Sequence, residues 1–192
     1  MKRALATNVT NAYRPAVGAA YVAAALFVVA FTRFFVLPPE GWGNVLVALL
    51  GVAPHLLLFP VVAMLPAPRW ARAAGYGWLV VDVATDIMGL NGVPVSTYLP
   101  MRYGGHVSAA LWIAVASWHT RGASRSIGLL LALDLGGYSF VAPFDPTHFV
   151  GLLPSFVLLP VWLVLVGRLL PREDEHRHMS VEGGEPAPLA SG

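Results

Sequence analysis

Six long apolar stretches dominate this chain and limit what it can become: 16–37, 45–65, 73–93, 103–118, 127–142 and 149–170. A run of about 20 apolar residues matches the hydrocarbon thickness of a bilayer at a helical rise of about 1.5 Å per residue. Between the runs stand "PPEGWG", "PAPRWAR", "NGVPVSTYLPMR", "HTRGASRS" and "PFDPTH", clusters of proline, glycine, serine and charge that form turns and loops. Alternating ten-residue strands with turn signals are absent, so the runs predict helices and not barrel strands. The fourth and fifth runs are short for a full crossing and call for little tilt or for flanking interfacial residues. The expected fold is an all-α polytopic membrane protein, a bundle of about six transmembrane helices over 1–170. The tail over 171–192, with "REDEHRH" and then glycine, proline and serine, is expected to be disordered and cytoplasmic, its His176 and His178 solvated.

Composition agrees, since 57% hydrophobic and 11% charged residues lie outside the range of soluble domains. With no cysteine, disulfides, thiolate metal sites and cysteine nucleophiles are excluded. A formal charge of +2 gives no basic footprint for nucleic acid. The expected partners are membrane lipids and a hydrophobic small molecule, with association into an oligomer allowed. The first run carries Arg33 and is too long for the apolar core of a signal peptide, so it reads as an ordinary first span.

Orientation follows from the basic residues. Lys2, Arg3, Arg14, Arg69, Arg72, Arg121, Arg125, Arg168, Arg172 and Arg177, ten of the twelve, fall on the side of both termini, and only Arg33 and Arg102 on the other. The positive-inside rule then places both termini in the cytoplasm, in the cell membrane, with Trp42, Trp70 and Trp118 in the interfacial belts.

The polar residues inside the runs are unevenly distributed. Asp82 lies near the middle of the third run, with Asp86 one turn nearer the outer surface on the same face. Asp134 lies near the middle of the fifth run, Tyr138 one turn further on. His55 falls near the middle of the second, and His106 about one turn inside the outer end of the fourth. Arg33, Asn91, Arg102, Asp145 and His148 gather at the outer rim, Asp145 in a turn. The pattern predicts a polar cavity in the outer half, built by the second to fifth spans and open to the outer side.

An aspartate at the centre of a membrane helix costs about 2.5–3.5 kcal/mol on insertion scales, so each needs a partner, water or a proton. Two carboxylates at i and i+4 repel unless a cation lies between them or one keeps its proton. The expectation is that Arg102 or Arg33 pairs with Asp86, while His55 or His106 faces Asp82 and Asp134. The catalytic candidates are Asp82, Asp86, Asp134 and His106. The substrate-binding candidates are His55, Asn91, Arg102 and Tyr138. No metal ligands and no cofactor are assigned.

Four readings follow. A membrane-embedded enzyme could use aspartate and histidine as acid and base on a lipid or isoprenoid-like substrate. The Asp-x-x-x-Asp spacing is similar to the carboxylates with which prenyl-handling enzymes hold Mg²⁺ and diphosphate, but their aspartate-rich motif is not spelled here, so it assigns no family. A small proton-coupled transporter or channel would use the same groups as a relay, though no inverted repeat is present. His55 and His106 could ligate a b-type haem, against which their unequal depths argue. A non-catalytic binding or assembly subunit would use the polar groups only to hold helices together, as Gly104, Gly105, Gly136 and Gly137 would by close packing.

Overall fold

The computed structural model describes residues 2–36, 42–144 and 150–182. Asp145, His148 and the segment 183–192 lie outside the described residues. Among the described residues the regular structure is entirely helical: α1 (Lys2–Val36), α2 (Trp42–Met64), α3 (Arg69–Leu90), α4 (Val95–Trp118), α5 (Ala123–Val141) and α6 (Leu153–Glu182). Two short 3-10 turns, Ala142–Phe144 and Val150–Leu152, lie between α5 and α6. Three helices, α1, α2 and α6, contain segments long and apolar enough to cross a membrane: Arg14–Arg33, Val45–Met64 and Leu153–Leu170. They mark the chain as a membrane protein.

Several helix boundaries differ from the sequence expectation, α1 beginning at Lys2 and not at 16 among them, and two of the differences bear on the site and the tail. The fourth helix begins at Val95, not at 103, so most of "NGVPVSTYLPMR" is helix. Pro94 sits at its N-cap, where its missing N–H and fixed φ suit a helix start. Pro100 forfeits a single backbone bond, that to the carbonyl four residues earlier. The preceding turn is closed by the end of α3: Gly92 at φ +74° donates to the Gly89 carbonyl and Val93 to that of Met88, which is a Schellman termination. The second difference is α6, which continues to Glu182 through the first part of the tail expected to be disordered. Glu173 and Arg177 there have i, i+4 spacing with the acid first, which favours helix.

Each helix packs against its neighbours in sequence, and α6 packs against α1, so the six close into a ring. Short connections make neighbours antiparallel. Ala16, Ala19, Ala20, Ala23 and Ala24 with Phe27 form a buried stripe on α1, small residues that let helices approach closely. In the middle of the ring Trp78, Trp112 and Trp162 are 2%, 0% and 1% exposed and meet in a chain, tilted at 6.0 Å between the first two rings and edge to face at 5.5 Å between the last two. Trp162 Nε1 donates to Ser117 Oγ at 3.1 Å. Glycine makes room for this layer: a Cβ on Gly75 would run into the Trp112 ring, and one on Gly128 into Ser117 Oγ and Trp162 Nε1. Gly105 and Gly136 likewise sit against neighbouring helices, whereas Gly104 and Gly137 have open space.

Candidate functional site

On one side of the tryptophan layer, at the end of the ring away from the two chain termini, the bundle opens into a cavity of about 420 Å³. All six helices contribute to it and not only the second to fifth, because α6 packs on α1 and brings Phe27, Phe31 and Phe156 to the wall. Most of the wall is apolar or aromatic: Phe27 and Phe31 from α1, Leu50 from α2, Leu99 from α4, Phe156 and Leu159 from α6. Phe31 and Phe156 stack at 4.2 Å where α1 meets α6, and Tyr103 and Tyr138 meet edge to face at 6.1 Å between α4 and α5. The polar side of the wall is a single cluster carried by α2, α3 and α4.

That cluster follows from helical spacing on two antiparallel helices. Trp78, Asp82 and Asp86 repeat every four residues on α3, and Tyr98, Arg102 and His106 do the same on α4. Side chains four apart stand on one face, so the two rows meet like the teeth of a zip. Arg102 Nη2 donates to Asp86 Oδ1. Arg102 Nε lies 3.8 Å from Asp82 Oδ1, and His106 Nε2 lies 3.7 Å from Asp82 Oδ2. Trp78 Nε1 donates to the same Asp82 Oδ2 at 2.7 Å. From α2, His55 places Nε2 3.1 Å from Asp82 Oδ2 and Nδ1 2.6 Å from the Gly51 carbonyl. Gly51 is required here, because a Cβ at that position would overlap the Asp86 carboxylate.

The hydrogen-bond geometry constrains one pair. The Gly51 carbonyl can only accept, so a hydrogen bond there is donated by His55 Nδ1. Its Nε2 faces Asp82 Oδ2 at 3.1 Å, and a hydrogen shared across that contact would leave the pair neutral as a unit. Asp86 and Arg102 form a second neutral pair. His106 differs from both: its Nε2 is near Asp82, while its Nδ1 is buried without a hydrogen-bond partner. Asp82 Oδ1, Asp86 Oδ2 and Arg102 Nε are in the same condition. Four buried polar atoms around one cavity are an unmet demand for hydrogen bonds, which burial makes costly at about 1–3 kcal/mol each.

The residues singled out from sequence divide clearly. Asp82, Asp86, His55, His106, Arg102 and Tyr138 all line the cavity. Arg102 is not at the rim, as its place in a loop implied, but two turns inside α4. His55 and His106 do not differ in depth as expected, since both reach the same oxygen of Asp82. Asp134 does not face a histidine: it accepts a hydrogen bond from Ser155 Oγ and links α5 to α6 beside the cavity. Asn91 caps α3, its exposed side chain donating to the Ile87 carbonyl at 2.8 Å, and is not part of the cavity wall. Arg33 is buried on α1 at the same end but also outside that wall. Among the described residues no three carboxylate or imidazole groups converge as a metal ion would need; the oxygens of the Asp-x-x-x-Asp pair face Arg102, His55 and Trp78 instead.

Trp78, Tyr98 and Gly51 went unremarked as site residues in the sequence. The signal for the first two was present in their i, i+4 relation to Asp82 and Arg102, hidden because aromatic residues in apolar helices are ordinarily packing. Comparison with protein-family models, with curated proteins and with solved structures finds no match, so the chemistry rests on the site alone.

Proposed function

We propose that this protein is a six-span enzyme of the cell membrane, with both termini cytoplasmic, that performs acid–base chemistry on a lipid or isoprenoid-like substrate in the outer-half cavity. Six spans are supported by α3, α4 and α5 being 22, 24 and 19 residues long, about 28 Å or more at the helical rise. Their mean hydropathy is lowered by Asp82, Asp86, Arg102 and Asp134, which stand on their inner or inter-helix faces. Outwardly they present Val80, Ile87, Leu111, Leu133 and Phe140, as a lipid-facing surface does. Orientation is supported by Arg14, Arg69, Arg72, Arg121, Arg125 and Arg168 at the end opposite the cavity.

The observation that carries the functional reading is His106: an imidazole on a cavity wall, with one nitrogen toward a carboxylate and the other unpartnered. A carboxylate that orients an imidazole is the ordinary arrangement for a general base. Here the neutral His55–Asp82 pair stands beside it as a proton donor. His106 would take a proton from the substrate and the His55–Asp82 pair would return one, while Asp86 and Arg102 hold the cluster together. Apolar walls suit a substrate that enters from the bilayer.

Transport fits less well. Beyond the layer of Trp78, Trp112 and Trp162, the buried polar groups among the described residues are Ser117, Thr120 and Ser124, whose hydroxyls donate or accept locally and do not titrate. A proton relay would have to continue through that half. The test is to compare neutral-lipid extracts of cells producing the wild type and His106→Gln at equal levels. A lipid depleted, or a product gained, only with the wild type supports the enzyme reading; identical extracts contradict it.

A further inference from the structure

The charge balance of the cluster carries a statement about the substrate's polar end, one that rests on reading the cavity as a substrate site. The ionisable groups on its wall are Asp82, Asp86, Arg102, His55 and His106. Two carboxylates are matched by one guanidinium and by a hydrogen shared between His55 and Asp82, and with His106, whose Nδ1 has no hydrogen-bond partner, as the neutral imidazole the wall has no net charge. The tyrosines facing the cavity, Tyr98, Tyr103 and Tyr138, add none.

The orphaned atoms are also mixed in kind. Arg102 Nε can only donate, Asp82 Oδ1 and Asp86 Oδ2 can only accept, and His106 Nδ1 can do either according to its tautomer. We propose that the cavity binds a long-chain or isoprenoid alcohol, its hydroxyl seated among Arg102, Asp82 and His106 and its chain along the Phe27, Phe31 and Phe156 wall. A hydroxyl donates once and accepts twice, so it satisfies both kinds of orphan without bringing charge. A phosphate or diphosphate brings negative charge to a wall whose one guanidinium is already matched by Asp86. An ammonium can only donate and brings a charge of the other sign. Against the apolar wall either would be left uncompensated, the costliest state for a buried ion. A volume of about 420 Å³ is in the range of sites for single small ligands.

The experiment uses the full chain in phosphatidylcholine nanodiscs, equilibrated with dodecan-1-ol, monododecyl phosphate and dodecylamine at equal concentration. These probes share one tail and differ in head. Mass spectrometry then counts the amount retained above that in empty nanodiscs. The wild type is expected to retain the alcohol at least tenfold over either charged probe. Asp86→Asn leaves Arg102 unmatched and is expected to raise the phosphate-to-alcohol ratio at least tenfold. Arg102→Gln leaves a carboxylate unmatched and is expected to raise the amine-to-alcohol ratio similarly, so either variant suffices if the other does not fold. Preference of the wild type for either charged probe, or ratios unmoved in a folded variant, overturns the proposal. Retention of the alcohol by a protein that leaves cell lipids unchanged keeps this inference and removes the enzyme reading. Phosphate retention by a protein that does change them does the reverse.

Discussion

Asp82 meets more of the cluster than any other side chain: it accepts from Trp78, shares a proton with His55 and lies within 4 Å of both Arg102 and His106. Replacing its carboxylate weakens the acceptor for the Trp78 indole and the partner of His55 Nε2, leaving buried donors poorly paired at about 1–3 kcal/mol each. Asp82→Asn is therefore expected to lower the unfolding midpoint in detergent sharply. Trp78→Phe removes the indole N–H and part of a buried ring, so the about 1.5–3 kcal/mol of a hydrogen bond to a charged group adds to the cost of the cavity left beside Trp112. His106→Gln should separate stability from function. Its Nδ1 has no partner to lose, so the unfolding free energy should change by less than about 1 kcal/mol, while activity on a cavity substrate falls about 10²–10⁴-fold. At this scale the sequence was readable in part. The pairing of Arg102 with Asp86 follows from the repulsion between Asp82 and Asp86, which demands a cation at that depth. Asp134 was misplaced because its partner, Ser155, is an uncharged hydroxyl on another helix that no spacing rule connects to it.

Helix α4 shows why elements were harder to delimit than to detect. Its first two turns read as a loop because Pro94, Ser96, Thr97 and Pro100 are all turn formers, yet prolines near a helix start cost little. That misreading put Arg102 on the surface and Tyr98 out of the site altogether. Glycines offer a direct test of helix packing. Gly128→Val would overlap Ser117 and Trp162, and is expected to destabilise the bundle by about 1–3 kcal/mol or more, the cost of overpacking. Gly104→Ala, on a helix face with open space, should be neutral or stabilise by about 0.5–1 kcal/mol through helix propensity. Thermal unfolding of both variants side by side distinguishes close packing from mere glycine content.

At the scale of the whole molecule, the lack of cysteine makes topology measurable without background. Single cysteines at exposed Asn91 and at Ser191 should react oppositely with a membrane-impermeant maleimide on intact cells, Asn91→Cys labelled and Ser191→Cys protected. Labelling of both would overturn the shared placement of the termini. Because the tryptophan layer closes the half of the ring beyond the cavity, proteoliposomes are expected to show no proton flux above that of empty vesicles. The all-helical architecture was legible from run lengths and loop chemistry alone, but the closure of α6 onto α1 was not. The meeting of the acids with Arg102 was legible from their spacing, but the contact of His55 with Asp82 beside Gly51 was not, since it depends on α2 arriving there. The account stands or falls on proton exchange between the cavity and an apolar molecule. The most direct measurement incubates the purified protein in D₂O with neutral-lipid extract and follows deuterium in the recovered lipids by mass spectrometry. A lipid that gains non-exchangeable deuterium with the wild type, and not with His106→Gln, is the predicted result; equal labelling with both proteins, or none with either, would contradict it.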